Sequence, residues 1–297
     1  METKPFRAAN LVIESKGTGS LGGVLFSLGT YFCKSYVMYQ KMKETSSNYD
    51  HPGVSSEPIN AKTSDNVSLC GHLFWPESIQ DRKSLPTVIF FHGNKGTIGQ
   101  KLDYIGSYVK ACNCNLIVFG YRGYSKSAGH PSADGLMKDT DAILSKVFTL
   151  DDKIDLDKVI VHGRSLGGGA GSYIVSKEPW KSKVRAVILD TTFNSVTSMV
   201  TFHMSTLSPV VNHIFANEQW EVVEAAKKFR EDMPVLIIGV VDDGICPYEH
   251  SVTLHQSLDR LNRPVSLVTF PDGGHIEFCS KHSEKYFDDL KAFVNIF

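Results

Sequence analysis

No block of like charge runs through this 297-residue chain: 31 lysines and arginines nearly cancel 32 aspartates and glutamates, and the two signs are interspersed. Without a field of one sign, steering of a nucleic acid or another polyanion is not expected. Cysteines are few and scattered, at Cys33, Cys70, Cys112, Cys114, Cys246 and Cys279, with a single C-x-C pair and no repeated ligand spacing. That pattern fits reduced structural thiols, an intracellular address and no metal. Internal repeats and low-complexity tracts are absent too, which leaves an apolar content of 42% and a charged content of 21% to be read as a globular chain with a sizeable core. One match to a glycosylation acceptor, Asn66-Val67-Ser68, falls inside an expected strand and carries little weight.

A long apolar run is also missing, although the N-terminal 40 residues differ from the rest. Gly17 to Cys33 is uncharged, carries five glycines and meets Lys34, so it is shorter than the about 20 apolar residues of a spanning helix. Leu21, Leu25, Leu28, Phe32, Tyr36 and Tyr39 recur at helical spacing, which suits an interfacial helix or one docked on the domain. Residues 1–40 are therefore read as an apolar segment and a candidate membrane anchor. A cleaved secretory signal does not fit, because Glu2 and Glu14 dilute the basic start. Residues 41–58 are polar and turn-rich, as a linker is, and the folded domain is expected from Ile59 to residue 297.

Within that domain, strand-like and helix-like segments alternate. Strands are expected at Val67–Trp75, Thr87–Phe91, Asn115–Phe119, Lys158–His162, Val184–Leu189, Val235–Gly239 and Val265–Phe270. Helices are expected at Ile98–Lys110, Ser132–Phe148, after Ser165, at Glu221–Arg230 and Tyr248–Leu261, and from Ser283. Such alternation predicts an α/β class, a doubly wound and mainly parallel sheet with its ligand site at the carboxyl ends of the strands. The segment Thr191 to Gln219, rich in Phe, Met, Leu and Val, is the one place for a short cap.

Val159-Ile160-Val161-His162 runs into Gly163-Arg164-Ser165-Leu166-Gly167, followed by more small residues that open a helix. This is G-x-S-x-G in the strand-turn-helix setting that projects a serine hydroxyl above a sheet, with glycines on both flanks to allow the turn. A serine hydroxyl is a weak nucleophile at neutral pH and needs a base, and the base needs an orienting acid. Of 11 histidines, His275 stands out, because it follows the strand Val265–Phe270 in Pro271-Asp272-Gly273-Gly274-His275. The acid is expected in Val240-Val241-Asp242-Asp243, with Asp242 preferred as nearer the strand end, adjacent Asp243 as the alternative, and Asp190 also closing a strand. Acyl transfer further requires two donors for the oxyanion. The backbone N–H of Leu166 is expected to be one. The other is assigned to the N–H of Asn94 in His92-Gly93-Asn94-Lys95-Gly96, with Lys95 as the alternative. Tyr121-Arg122-Gly123-Tyr124-Ser125 is read as a loop that frames the pocket, and Cys246 as packing.

Phe91-His92-Gly93-Asn94 with Gly96 and Ile98-Gly99, Tyr121 to Ser127, Gly163 to Gly168 and Phe270 to His275 together resemble the α/β-hydrolase superfamily. More narrowly they resemble its bud-emergence (Bem-type) hydrolases, a branch similar to the prolyl-oligopeptidase-like serine peptidases. The resemblance covers residues 59–297 and departs at Lys95, where a small residue is more usual, and at Gly244 and Cys246 in the acid loop. It implies a Ser165, Asp242, His275 triad, no cofactor, and often an N-terminal membrane anchor with the catalytic domain in the cytoplasm or on an endomembrane. The expected activity is hydrolysis of an acyl ester or thioester of a lipid, small molecule or acylated protein. Peptide cleavage is the alternative within the class, and a non-catalytic binding scaffold is the alternative outside it.

Overall fold

A computed structural model of the chain describes residue 39 and residues 41–46, 48–203 and 220–297. The apolar residues 17–38 and the second half of the expected cap, 204–219, lie outside the described residues. Strands are β1 (Met42–Lys43), β2 (Val54–Lys62), β3 (Ser68–Pro76), β4 (Thr87–Phe91), β5 (Asn115–Phe119), β6 (Tyr124–Ser125), β7 (Val159–Arg164), β8 (Ala186–Asp190), β9 (Val235–Val240) and β10 (Val265–Phe270). Helices are α1 (Leu102–Cys112), α2 (Ala133–Val147), α3 (Leu166–Val175), α4 (Trp180–Lys183), α5 (Val196–His203), α6 (Val222–Ala226), α7 (Tyr248–Asp259), α8 (Gly274–Lys281) and α9 (Ser283–Val294).

Eight strands form one sheet in the order β10-β9-β8-β7-β4-β5-β3-β2. All neighbours are parallel except β3 against β5 and β2 against β3. The central strands read as unbroken apolar runs because both faces are covered, and every residue of β4, β5 and β8 is buried. Strand alternation sorts them: Ile89 and Phe91 join the core under α2, α3, α6 and α7, whereas Val88 and Phe90 join the core under α1, α8 and α9. This is the α/β-hydrolase fold, as expected.

Two expectations at the N-terminal side are corrected. Residues 41–58 are not a free linker, and the sheet begins at Val54, before Ile59. Pro58 and the polar run around it read as linker, yet β2 is an edge strand bonded only to β3, and an edge accommodates proline. Upstream, β1 pairs in parallel with β6, Tyr39 is buried, and its hydroxyl accepts from Trp220 Nε1 at 3.0 Å. Tyr39 and residues 41–46 therefore belong to a strap laid on the domain. Asn66, expected within a strand, instead sits in the β2–β3 turn with φ 68°. No helix among the described residues is long and apolar enough to cross a membrane.

Candidate active site

Strand β7 ends at Arg164, and the chain turns at Ser165, with φ 54° and ψ −119°, straight into α3. A non-glycine residue holds such a conformation only where its surroundings impose it, at a cost on the order of 1–3 kcal/mol. The surroundings here are tight. A Cβ on Gly167 would sit 1.8 Å from the carbonyl oxygen of Phe91, and one on Gly163 would sit 2.3 Å from that of Gly167. Only glycine lets α3 lie this close to the ends of β4 and β7. Ser165 N–H donates to the carbonyl of Asp190 at 2.9 Å, which ties the elbow to β8.

His275 Nε2 lies 2.9 Å from Ser165 Oγ, and His275 Nδ1 lies 2.7 Å from Asp243 Oδ2. A buried carboxylate against Nδ1 sets the tautomer, so Nδ1–H donates to Asp243 and Nε2 is left to accept from the serine hydroxyl. The other oxygen of Asp243 accepts from the N–H groups of Ile245 and Cys246, both at 2.8 Å, and its side chain has no solvent exposure.

The carboxylate beside His275 thus belongs to Asp243 and not to the expected Asp242. Val241 N–H still bonds to the carbonyl of Phe270 at 2.9 Å, so pairing of β9 with β10 runs past the strand end that the sequence suggests. The carboxylate that meets His275 consequently falls one residue later, and its neighbour points outward. Asp242 instead holds the backbone ahead of the base, its Oδ1 accepting from Gly274 N–H at 2.7 Å and its Oδ2 from Gly273 N–H at 3.1 Å. It caps the start of α8, where a carboxylate also meets the positive end of the helix. His275 itself lies in the first turn of α8 and not in an open loop, a helix that sequence pattern missed because it opens on Gly274 directly after Gly273.

The loop after β4 reaches the serine through Gly93, whose Cβ position is 3.4 Å from Ser165 Cβ. Next to it, Asn94 has its side-chain oxygen held by Tyr124 hydroxyl at 2.8 Å. Leu166 is the first residue of α3, a position whose N–H has no acceptor within the helix. Leu166 thus follows Ser165 directly and Asn94 follows the glycine that touches it, while Lys95 is exposed.

Residues that sequence reasoning passed over brace this loop. Buried His92 donates from Nδ1 to Gly93 carbonyl at 2.7 Å and its own carbonyl accepts from Tyr121 hydroxyl at 3.0 Å, while burial drives its pKa down to about 3. The 121–125 segment is buried, and its Tyr121 and Tyr124 brace the loop of His92 and Asn94. From the strap, Glu44 accepts Gly99 N–H at 2.8 Å and Thr97 hydroxyl at 3.1 Å, and Met42 sulfur meets Gly96 N–H at 3.0 Å. Cys246 is buried beside the acid, its thiol pKa raised by burial and by the Asp243 carboxylate. Two surface hollows, about 220 Å³ beside Tyr173 and Trp180 and about 610 Å³ beside His51 and Trp75, contain none of these groups.

A hydroxyl, an imidazole and a carboxylate in line at the carboxyl edge of a doubly wound sheet mark the hydrolase class of this fold. Residues 127–296 match the prolyl oligopeptidase family, and the chain belongs to that family. It is 29% identical over 248 residues to the α/β-hydrolase domain-containing protein WAV2 of Arabidopsis thaliana, covering 80% of this chain and 78% of the relative. It is 28% identical over 290 residues to protein bem46 of Schizosaccharomyces pombe, covering 95% and 93%. Among solved structures, an esterase of Pyrococcus furiosus, Pf2001, superposes with a TM-score of 0.69 at 16% identity, covering 88% of this chain and 99% of the esterase.

Proposed function

We propose that the protein is a serine hydrolase that cleaves an acyl ester or thioester through an acyl-enzyme, with Ser165 as nucleophile, His275 as base and Asp243 as acid. The observation that carries this reading is the continuous chain from Ser165 Oγ to His275 Nε2 at 2.9 Å and from His275 Nδ1 to Asp243 Oδ2 at 2.7 Å. Ser165 Oγ attacks the substrate carbonyl carbon and gives its proton to Nε2. Asp243 stabilises the imidazolium that forms, and the N–H groups of Leu166 and Asn94 receive the oxyanion. Collapse of the tetrahedral intermediate expels the alcohol or thiol, which takes the proton from Nε2. Water, deprotonated by the same nitrogen, then attacks the acyl carbon and releases the acid with Ser165 restored.

An acyl substrate is favoured by what surrounds these groups. Val241, Ile245 and Ile276 are 55%, 44% and 60% exposed, the first two on the loop that carries Asp243 and the third on the helix that carries His275. An apolar rim suits an acyl chain better than a charged peptide. Peptide cleavage is the second reading, supported by the family that the chain matches. The scaffold reading fares worse, since all three groups are present and in contact.

Labelling with an active-site-directed fluorophosphonate is the first test, with loss of label and of ester turnover in Ser165→Ala as the expected result; a variant that keeps its turnover sinks the reading. A panel of acyl esters and thioesters of graded chain length beside a peptide amide then separates the two substrate classes. Attachment to a membrane through residues 17–39 is part of the proposal, and high-pH extraction of membranes tests it.

A further inference from the structure

The middle residue of Gly163-Arg164-Ser165 is variable by chemistry: nothing in the turn itself requires a cation there. In this chain it is an arginine, and its guanidinium crosses from the nucleophile strand to the helix that carries the base. Arg164 Nη2 donates to the backbone carbonyls of His275 at 3.1 Å and Ile276 at 3.3 Å, and Nη1 reaches Cys279 sulfur at 3.5 Å. The guanidinium also lies over the Phe278 ring at 5.1 Å. Its side chain is only 15% exposed.

A cation at this place works against two general preferences. The first turn of a helix is its positive end, which favours anions. A buried charge also loses hydration that a single ion pair seldom repays. Both penalties are met by Asp190, fully buried at the end of β8, whose Oδ2 lies 3.9 Å from Arg164 Nε. Asp190 is fixed in turn by Tyr286 hydroxyl at 2.8 Å and faces His162 Nε2 at 3.4 Å, while its main-chain carbonyl receives the N–H of Ser165. A pair of apolar side chains would fill this space at no desolvation cost, so stability is a poor reason for the arrangement. Geometry gives a better one. One side chain adjacent to the nucleophile grips the main chain of the base, and one residue, Asp190, holds both the elbow and that side chain.

We infer that Arg164 is a positioning residue for His275, holding the first turn of α8 in register with the Ser165 elbow, with Asp190 as the counter-charge that fixes the guanidinium. This rests on the proposed serine-hydrolase reading. The imidazole has to stay within hydrogen-bond reach of Ser165 on one side and Asp243 on the other, and α8 is otherwise anchored there by the Asp242 cap and by Phe278 in the core. Those two contacts set where the helix begins and how deep it lies. Arg164 adds the restraint across the gap to Ser165, and a displacement of about 1 Å there is enough to cost on the order of 10²-fold in rate.

The test compares wild type with Arg164→Met and Arg164→Lys in the full chain. Four quantities are read: kcat and KM on an acyl ester, the rate of fluorophosphonate labelling of Ser165, and the low-field proton resonance of the His275 Nδ1–H to Asp243 hydrogen bond. Arg164→Met is expected to lower kcat and labelling at least tenfold, to change KM less than threefold and to displace or broaden the resonance, with Arg164→Lys between it and wild type. Folded Arg164→Met with kcat and labelling within threefold of wild type and an unmoved resonance overturns the inference, even where thermal stability has dropped. Where Arg164→Met does not accumulate as folded protein, Arg164→Lys decides. A lysine brings one point charge in place of a planar fork and cannot grip both carbonyls and Asp190 together. A kcat reduced at least threefold in Arg164→Lys then supports the inference, and an unchanged kcat overturns it. Failure of the underlying reading looks different: wild type itself would not label at Ser165, and Ser165→Ala would retain turnover, while the resonance still reports on Arg164 without any substrate.

Discussion

Two adjacent aspartates of one loop do different work, because a turn sends consecutive side chains to opposite sides. Asp243 is buried against His275, and Asp242 is exposed and caps α8. Asp243→Asn is expected to lower kcat on the order of 10³–10⁴-fold, since an amide no longer holds the Nδ1–H tautomer. Asp242→Ala is expected to keep most of the turnover and to lose about 1 kcal/mol of stability, the usual value of a helix cap. Turnover of an acyl ester and denaturant midpoints, measured on both variants, check the assignment. Ser165 and His275 were legible in the sequence because each is marked by its own local signal, small residues around a strand end followed by the polar group. The carboxylate that meets His275 was legible only to within one residue. Its identity depends on how far β9 stays paired with β10, and that is a property of two strands brought together and not of either alone.

At the scale of elements, the parallel strands β4, β5, β7, β8 and β9 could be read from sequence because apolar runs buried on both faces are distinct from the amphipathic helices between them. The edge strand β2 and the two-residue β1 could not. Their burial comes from partners far along the chain, and Pro58 together with the serines and glutamate around it mimics a linker. The strap predicts an effect that a linker would not have. Glu44→Ala removes the acceptor for Gly99 N–H and Thr97 hydroxyl, and is expected to slow ester turnover roughly tenfold, below the about 10²–10³-fold of losing a whole oxyanion donor. Steady-state kinetics on protein of unchanged circular dichroism checks it. A stronger outcome is expected at the elbow, where the Cβ of Gly167→Ala would meet the Phe91 carbonyl at 1.8 Å. Backbone on both sides leaves nothing to yield, so the variant is expected to lose on the order of 3 kcal/mol or more, or to fail to accumulate, as thermal unfolding and soluble yield will report.

For the molecule as a whole, histidines shielded from solvent are expected to set an acid limit. His92 falls to about 3 in the folded protein by burial, with the Lys101 ammonium acting in the same direction, and burial also lowers His72 and His162. An imidazole of the unfolded chain titrates near 6.5, so between about 6.5 and about 3 the unfolded state binds more protons, and stability rises with pH through that window. His92 alone is therefore expected to cost about 3 kcal/mol by pH 4 relative to neutral pH. Urea midpoints measured from pH 7.5 down to about 4 should fall through this range, with His92→Gln flattening the slope; an unchanged slope in that variant would assign the acid limit to other groups.

The strap also determines how the molecule carries load. Tyr39 meets Trp220, and Met42 and Glu44 meet the loop of Gly96, Thr97 and Gly99, before the chain enters the eight-stranded sheet at Val54. A pull along the chain from the N-terminal side is expected to be borne by the Tyr39–Trp220 contact, a two-residue strand and one carboxylate before it reaches the nine-residue ladder of β2 on β3. Tension at that end is therefore expected to loosen the loop of Gly96, Thr97 and Gly99, which follows Asn94, while the sheet stays whole.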